Sequence, residues 1–232
     1  MLFLFHTFVL TVNYFTLWYD YMYMELPLPE ELKDLPYKAR GIFLTFWCLI
    51  LQTIYFTIAL LNDIIGSNAA SPKHSPIIRR IKDIVFSLAF PVALYVALVF
   101  WSLYAIHKDL IFPENVEKLF PAWVNHTMHT TIVPFIILEL LLSNRNYPSR
   151  KVGMPVALLF NFAYISWIHY IYFYKGVWVY PFLEIFNWPM RIIFCGFSTF
   201  IGLIVYSLGE KLNTLVSPST RLYTNGVERK GK

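Results

Sequence analysis

Six stretches of roughly 20 mostly apolar residues recur along the chain, each long enough to cross about 30 Å of hydrocarbon as a helix. They fall at 2–19, 41–61, 84–107, 122–142, 153–174 and 190–208. This pattern predicts an all-α fold: a polytopic membrane helical bundle with six transmembrane helices. The composition agrees. Of 232 residues, 57% are hydrophobic and 14% charged, with a mean hydropathy of +0.53. A soluble domain carries about 25% charged residues. These values exclude a disordered chain, a nucleic-acid-binding domain and a disulfide-rich scaffold. The two cysteines, Cys48 and Cys195, sit inside apolar runs and read as small core residues rather than a disulfide.

The first window starts at the initiator Met with no basic region and no small-residue cleavage site, so it reads as a retained helix. The gaps are short and hold the turn formers, such as Pro27, Pro29 and Pro36 in the first and Gly66, Asn68 and Pro72 in the second. One six-span domain over 1–211 and a basic tail over 212–232 account for the chain. Charge sets the orientation. The second loop, the fourth loop and the tail hold Lys73, Arg79, Arg80, Lys82, Arg145, Arg150, Lys151, Lys211, Arg221, Arg229, Lys230 and Lys232, twelve in all. The first, third and fifth loops, with Arg191 just beyond, hold seven: Lys33, Lys38, Arg40, Lys108, Lys118, Lys175 and Arg191. The positive-inside rule then puts both termini in the cytosol. Trp and Tyr gather at the window ends, as interfacial anchors do.

Polar groups inside hydrocarbon are costly and tend to mark function. The densest group lies in the fourth window, from Trp123 through Asn125, His126, His129 and Thr131. At about 100° per residue, Asn125 and His129 share a face one turn apart, and His126 lies about 60° from His129. Pro134 brings no N–H to the carbonyl of Thr130, which predicts a kink just below His129. In this topology Thr45 lies roughly 6 Å and His129 roughly 10 Å below the outer side, at 1.5 Å per residue. A hydroxyl and an imidazole then meet at one level, with His169 at a comparable depth and Asn161 deeper. An imidazole can take the proton of a neutral hydroxyl as general base and return it to a leaving alkoxide. A threonine–histidine pair inside a membrane suits an acyl ester that partitions there. Asn125 is placed to orient the imidazole or to donate to an oxyanion.

Other readings stand beside this one. A span threonine commonly back-bonds to its own helix, and by position alone Thr45 has no claim over Thr53 or Thr57. A span histidine also serves to cross-link helices. His126, His129 and His169 form a conceivable metal set, although no acidic or cysteine ligand lies at their level. Asn125-His126-Thr127 matches a glycosylation sequon but lies in or against the membrane. Glu139 reads as paired within the bundle, and Asp63 as solvated or paired near the basic second loop.

The segment Leu44-Thr45-Phe-Trp-Cys-Leu-Ile-Leu-Gln52-Thr53 resembles the second-span signature of the androgen-induced gene 1 and androgen-dependent TFPI-regulating proteins. So does Trp123-Val-Asn125-His126-Thr-Met128-His129-Thr130 with Pro134. Shorter matches follow in order, at Leu88–Pro91, Asp109–Pro113, Tyr147-Pro148, Gly176–Pro181 and Leu208–Asn213, so that the likeness covers about 37–213. The resemblance implies a six-span, metal-independent threonine hydrolase that cleaves fatty acid esters of hydroxy fatty acids. It also implies Thr45 as nucleophile and His129 as base, and it alone selects Thr45 among the span threonines. Phe46-Trp47-Cys48 departs from the pattern, which bears on lipid chain length and branch position.

The expected protein is thus an integral-membrane lipid esterase with Thr45 and His129 catalytic. Asn125, His126, His169 and Arg191 are supporting or substrate-binding candidates, Arg191 for the lipid carboxylate. No metal or organic cofactor and no nucleic acid is implied; the partners are the lipid ester and the surrounding membrane lipids. The alternative is a non-enzymatic lipid-binding or partner-regulating membrane protein. Residence in the endoplasmic reticulum or plasma membrane is expected. The terminal Arg229-Lys230-Gly231-Lys232 resembles a dibasic retrieval signal, and it reads equally as a positive-inside flank.

Overall fold

A computed structural model describes residues 1–216 apart from 36, 71, 73 and 74. The tail beyond 216, with the retrieval-like motif, and Lys73 lie outside the described residues. The described chain is helical, with no strand. Five helices are long and apolar enough to cross a membrane. These are α1 (Leu2–Tyr23), α2 (Leu44–Ile65), α3 (Ile77–His107, continuing as a turn to Leu110), α5 (Arg150–Lys175) and α6 (Trp188–Val216). The segment between α3 and α5, labelled α4, is not one unbroken helix. It runs Ala122–His126, then a π-helical turn Thr127–Thr131, then Ile132–Leu142. The sequence predicted a simple kink below His129. The irregularity instead takes in His129 itself, and π turns of this kind occur frequently at functional sites. The last helix also runs on past the predicted window, to Val216.

On α1 the apolar pattern is turned partly inside out, as a lipid solvent permits. On α1 the buried face carries His6, Asn13, Thr16 and Asp20 beside Val9 and Leu10. Phe3, Leu4, Phe8, Phe15 and Trp18 point outward. In lipid there is no apolar drive to bury those rings, so packing and polar contacts decide which face turns inward. α2 packs against α1 and α3, α3 also against α4 and α6, and α5 against α6. One core cluster joins α1 to α4 through Val9, Tyr55, Phe86, Phe90 and Ile136.

At the α1 N-terminal end a buried charged network ties the bundle. His6 Nδ1 lies 2.6 Å from Asp63 on α2, and His6 Nε2 lies 2.8 Å from Glu139 on α4. Tyr55 donates to Glu139 at 2.6 Å, and Arg145 reaches the same carboxylate at 3.2 Å. Lys82 donates to Ser143 at 2.7 Å.

Three connecting segments gather at the opposite end and roof the bundle. The first, 24–43, includes a short 3-10 turn and then Tyr37, Lys38 and Ala39, all with positive φ of 51° to 58°. Lys175 clamps Asp34 of this segment at 2.6 Å. That hydrogen bond holds the exposed Asp34 carboxyl below the usual carboxylate range. The second segment, 108–121, is pinned by Lys108 to Glu117 at 2.5 Å. The third starts at Gly176, whose φ of +76° ends α5 in the left-handed conformation that glycine adopts without a Cβ clash. That reversal carries Trp178 and Tyr180 back over the bundle, where they join a second cluster with Leu32, Ile42, Tyr164 and Leu183.

Candidate active site

Thr45 is the second residue of α2. A threonine deeper in a helix satisfies its hydroxyl on the carbonyl four residues back. Thr53 and Thr57 do so on α2, at 2.7 Å each, and Thr127 and Thr131 do so on α4. Thr45 has no such carbonyl inside its helix. Its Oγ1 lies instead 3.1 Å from His129 Nε2. The two residues that the depth argument set at one level therefore meet across α2 and α4.

The imidazole is held on three sides. Its Nδ1 faces two acceptors, Asn125 Oδ1 at 2.8 Å and the Asn125 carbonyl at 3.0 Å. Two acceptors require the proton on Nδ1, which leaves the Nε2 lone pair for the Thr45 hydroxyl. The Phe100 ring stacks on the imidazole at 3.6 Å and 14°. The Trp101 indole donates to the His129 carbonyl at 3.1 Å. Pro134 removes one N–H from this stretch, so a carbonyl here is left for a side-chain donor. His129 and Asn125 are both buried, while Thr45 is half-buried. The Asn125 sequon thus lies inside the bundle with its amide engaged.

The backbone around Thr45 is unusual. The Gly41 carbonyl, four residues before it, accepts the indole N–H groups of Trp47 and Trp167 at 2.8 Å each. The Leu44 amide, just before Thr45, donates to the hydroxyls of Tyr164 at 2.9 Å and Tyr180 at 3.1 Å. The two hydroxyls lie 2.8 Å apart, and Tyr164 passes its own proton to the Ile42 carbonyl.

Thr45 and His129 open onto a cavity of about 500 Å³, roofed by the three connecting segments and walled by α3, α5 and α6. Its lining is chiefly apolar. Several polar groups on the wall pair with one another: Tyr95 with Ser198 at 2.5 Å, Asn161 with Thr199 at 2.8 Å, and Arg40 with Asp20 at 2.8 Å. Among the described lining residues Arg40 is the only lysine or arginine.

The other sequence candidates lie elsewhere. His126 points outward, 3.0 Å from the Thr130 hydroxyl and stacked on Trp101. The rotation argument for His126 assumed α-helical geometry, and the π turn between it and His129 is wider. His169 bonds the Ile165 carbonyl at 2.8 Å and abuts Trp178, off the cavity wall. Arg191 is buried under Trp178 at 4.5 Å, its Nε on the Leu183 carbonyl at 3.0 Å. It braces the roof and does not line the cavity. His126, His129 and His169 do not converge. Among the described residues no group of three or more His, Cys, Asp or Glu is arranged to hold a metal. Sequence reasoning missed Tyr164, Tyr180 and Arg40. The Gly176-Val-Trp178-Val-Tyr180-Pro181 run contained the one available hint, a helix stop followed by aromatics.

Five helices long and apolar enough to cross a membrane make this an integral membrane protein with a polytopic helical bundle. Comparison with known proteins then gives the particular family. The FAR-17a/AIG1-like protein family model matches residues 1–214, and the chain belongs to that family. The androgen-induced gene 1 protein of Homo sapiens is 34% identical over 212 residues, covering 88% of this chain and 87% of the relative. The androgen-dependent TFPI-regulating protein of Mus musculus is 36% identical over 201 residues, covering 84% and 87%. A UPF0641 membrane protein of Schizosaccharomyces pombe is 20% identical over 178 residues, covering 76% of each chain. No solved structure matches the chain.

Proposed function

We propose that this protein is an integral-membrane esterase that hydrolyses fatty acid esters of hydroxy fatty acids. The observation that carries the proposal is the relay Thr45–His129–Asn125, opening onto an apolar cavity. A lone intramembrane histidine reads as a cross-link. This one is fixed in one tautomer and aims its free nitrogen at a hydroxyl that lacks the usual backbone partner.

In the proposed reaction Thr45 Oγ1 attacks the ester carbonyl and its proton passes to His129 Nε2. The tetrahedral adduct then expels the alkoxide of the hydroxy fatty acid, which takes the proton from His129. Water, deprotonated by His129, next attacks the acyl-threonine, releasing the fatty acid and restoring Thr45. Asn125 holds the imidazole and stabilises its charged form. Arg40 is the group we assign to the free carboxylate of the substrate. His126, His169 and Arg191 have no step, and the scheme uses no metal or organic cofactor. The bundle has six spans in this reading, with the π-interrupted α4 as the fourth and both termini cytosolic, in the endoplasmic reticulum or plasma membrane. The catalytic domain is 1–211.

The competing reading is lipid binding or partner regulation without turnover. One relative's name, which says TFPI-regulating, leans that way. The deciding test is release of hydroxy fatty acid from a defined branched ester by membranes holding wild type, Thr45→Ala or His129→Ala at equal expression. Release by wild type alone is the expected result. No release by wild type across several chain lengths favours the competing reading. Release by both variants keeps an esterase and discards this site.

A further inference from the structure

The cavity does not end at the reactive pair. Phe100, stacked on His129, marks the reactive level on α3. Below it the same face of α3 lines the cavity at Val96, Tyr95, Val92, Pro91 and Leu88. From Phe100 to Leu88 is 12 residues, about 18 Å at 1.5 Å per residue. α5, parallel to α3, lines the same space from Ile168 down to Ala157, and the antiparallel α6 from Phe194 down to Leu203. These stretches are roughly 16 Å and 13 Å long by the same rise. Three helices thus enclose one elongated arm leading away from the relay.

The arm has one bare position on its far wall. Gly202 on α6 lines the cavity, and a Cβ placed there meets nothing within 4 Å. Gly196, one and a half turns nearer the roof, also meets nothing but does not line the cavity. The space beside Gly202 is therefore cavity space, kept open by the missing side chain. The hydroxyl and amide groups in the arm satisfy one another in the Tyr95–Ser198 and Asn161–Thr199 pairs. With these pairs made, the rest of the arm's wall is chiefly apolar.

We infer that this arm takes the linear acyl chain of the substrate and that Gly202 sets the chain length it accepts. The inference rests on the esterase reading for which half of the substrate enters. Three zigzag bonds span about 3.8 Å, so roughly 10 to 14 bonds fit an arm of 13 to 18 Å. A long-chain acyl group, bound carbonyl-up against Thr45, fills it. A side chain at position 202 truncates the far end and leaves the mouth open.

The test is displacement of a fluorescent C16 carboxylate from the purified protein by saturated fatty acids of 8, 12 and 16 carbons. Hydrolysis of esters bearing the same acyl chains is measured in parallel. Wild type binds more tightly as the chain lengthens through 12 carbons. In Gly202→Phe the advantage of 16 over 8 carbons falls by about 10-fold or more, the size of effect a few methylenes carry in an apolar pocket. Gly202→Ala gives a smaller shift in the same direction, and Gly196→Phe gives none. An unchanged length preference in Gly202→Phe overturns the inference, as does equal loss for every chain length. Binding needs no turnover. A wild type that shows the length dependence without hydrolysis therefore sinks the esterase reading and leaves the arm standing.

Discussion

His6 and His129 are both buried histidines in hydrocarbon, and both contact α4, at residues about 15 Å apart along it. Their surroundings differ in one respect that decides their roles. His6 has a carboxylate on each nitrogen, Asp63 at 2.6 Å and Glu139 at 2.8 Å, and it does not line the cavity beside Thr45. Every lone pair and proton is committed, and the contacts join α1 to α2 and α4. His129 has its Nδ1 committed to Asn125, while its Nε2 faces a hydroxyl on a cavity wall. The first arrangement can only hold helices together. The second has an unspent base and room for a reactant. Burial and residue type are the same at the two ends; the open valence separates structure from chemistry.

Substitution should split the two ends cleanly. Thr45→Ala and His129→Ala are expected to lower ester turnover by at least about 10³-fold, the scale at which members of a nucleophile–base unit fail. Both variants should keep the thermal midpoint of wild type in detergent within a few degrees. A collapse of the folded state in both would erase the contrast between the two ends.

The opposite pattern is expected at the other end. Removing one member of a buried ion pair leaves the rest uncompensated, at a cost of about 3–5 kcal/mol. Glu139→Ala takes one buried partner from each of His6, Arg145 and the Tyr55 hydroxyl. It should lower the thermal midpoint sharply, while turnover per folded molecule stays near wild type. Loss of turnover in fully folded Glu139→Ala would mean that the network reaches the site.

The same contrast governs what the sequence disclosed. The long apolar windows announced most of the bundle, because length and composition alone decide whether a helix can span. The fourth window hid its break: the π turn Thr127–Thr131 arises from packing around His129 and Pro134, which no periodicity records. Thr45 was singled out by resemblance, yet a local rule also marks it. A threonine at the second position of a helix lacks the in-helix carbonyl that quiets Thr53 and Thr57. His6 left no trace, because its partners stand 57 and 133 residues away. Arg191 and His169 misled because depth along a helix says nothing about direction around it, and both face the tryptophans of the roof.

Asn125 offers a finer cut within the reactive end. It does not touch the hydroxyl; it holds the imidazole from the far side at 2.8 Å. Asn125→Ala frees the ring to reorient, and misplacement on that scale costs about 10²-fold. Because the Asn125 carbonyl still accepts from Nδ1, activity should survive below wild type and above His129→Ala. The loss should fall on kcat more than on KM. An effect confined to KM would make Asn125 part of the substrate wall.

The smallest expected effect tests whether strain belongs to the reactive end alone. Tyr37, Lys38 and Ala39 are the positive-φ residues other than glycine among those described, and they immediately precede Arg40, Gly41 and the start of α2. A left-handed conformation costs an ordinary residue about 1–2 kcal/mol, and asparagine bears it more readily. Tyr37 is 71% exposed, so its ring contributes little packing that a substitution would remove. Tyr37→Asn should therefore raise stability by up to about 1 kcal/mol, a gain of a few degrees in thermal midpoint. The segment leads into Gly41, whose carbonyl anchors Trp47 and Trp167, and into the start of α2 that carries Thr45. If the strain only closes the loop, turnover in Tyr37→Asn stays at the wild-type level. If it sets the start of α2 against His129, the more stable variant turns over more slowly, and stability and activity move in opposite directions at this end of the molecule alone.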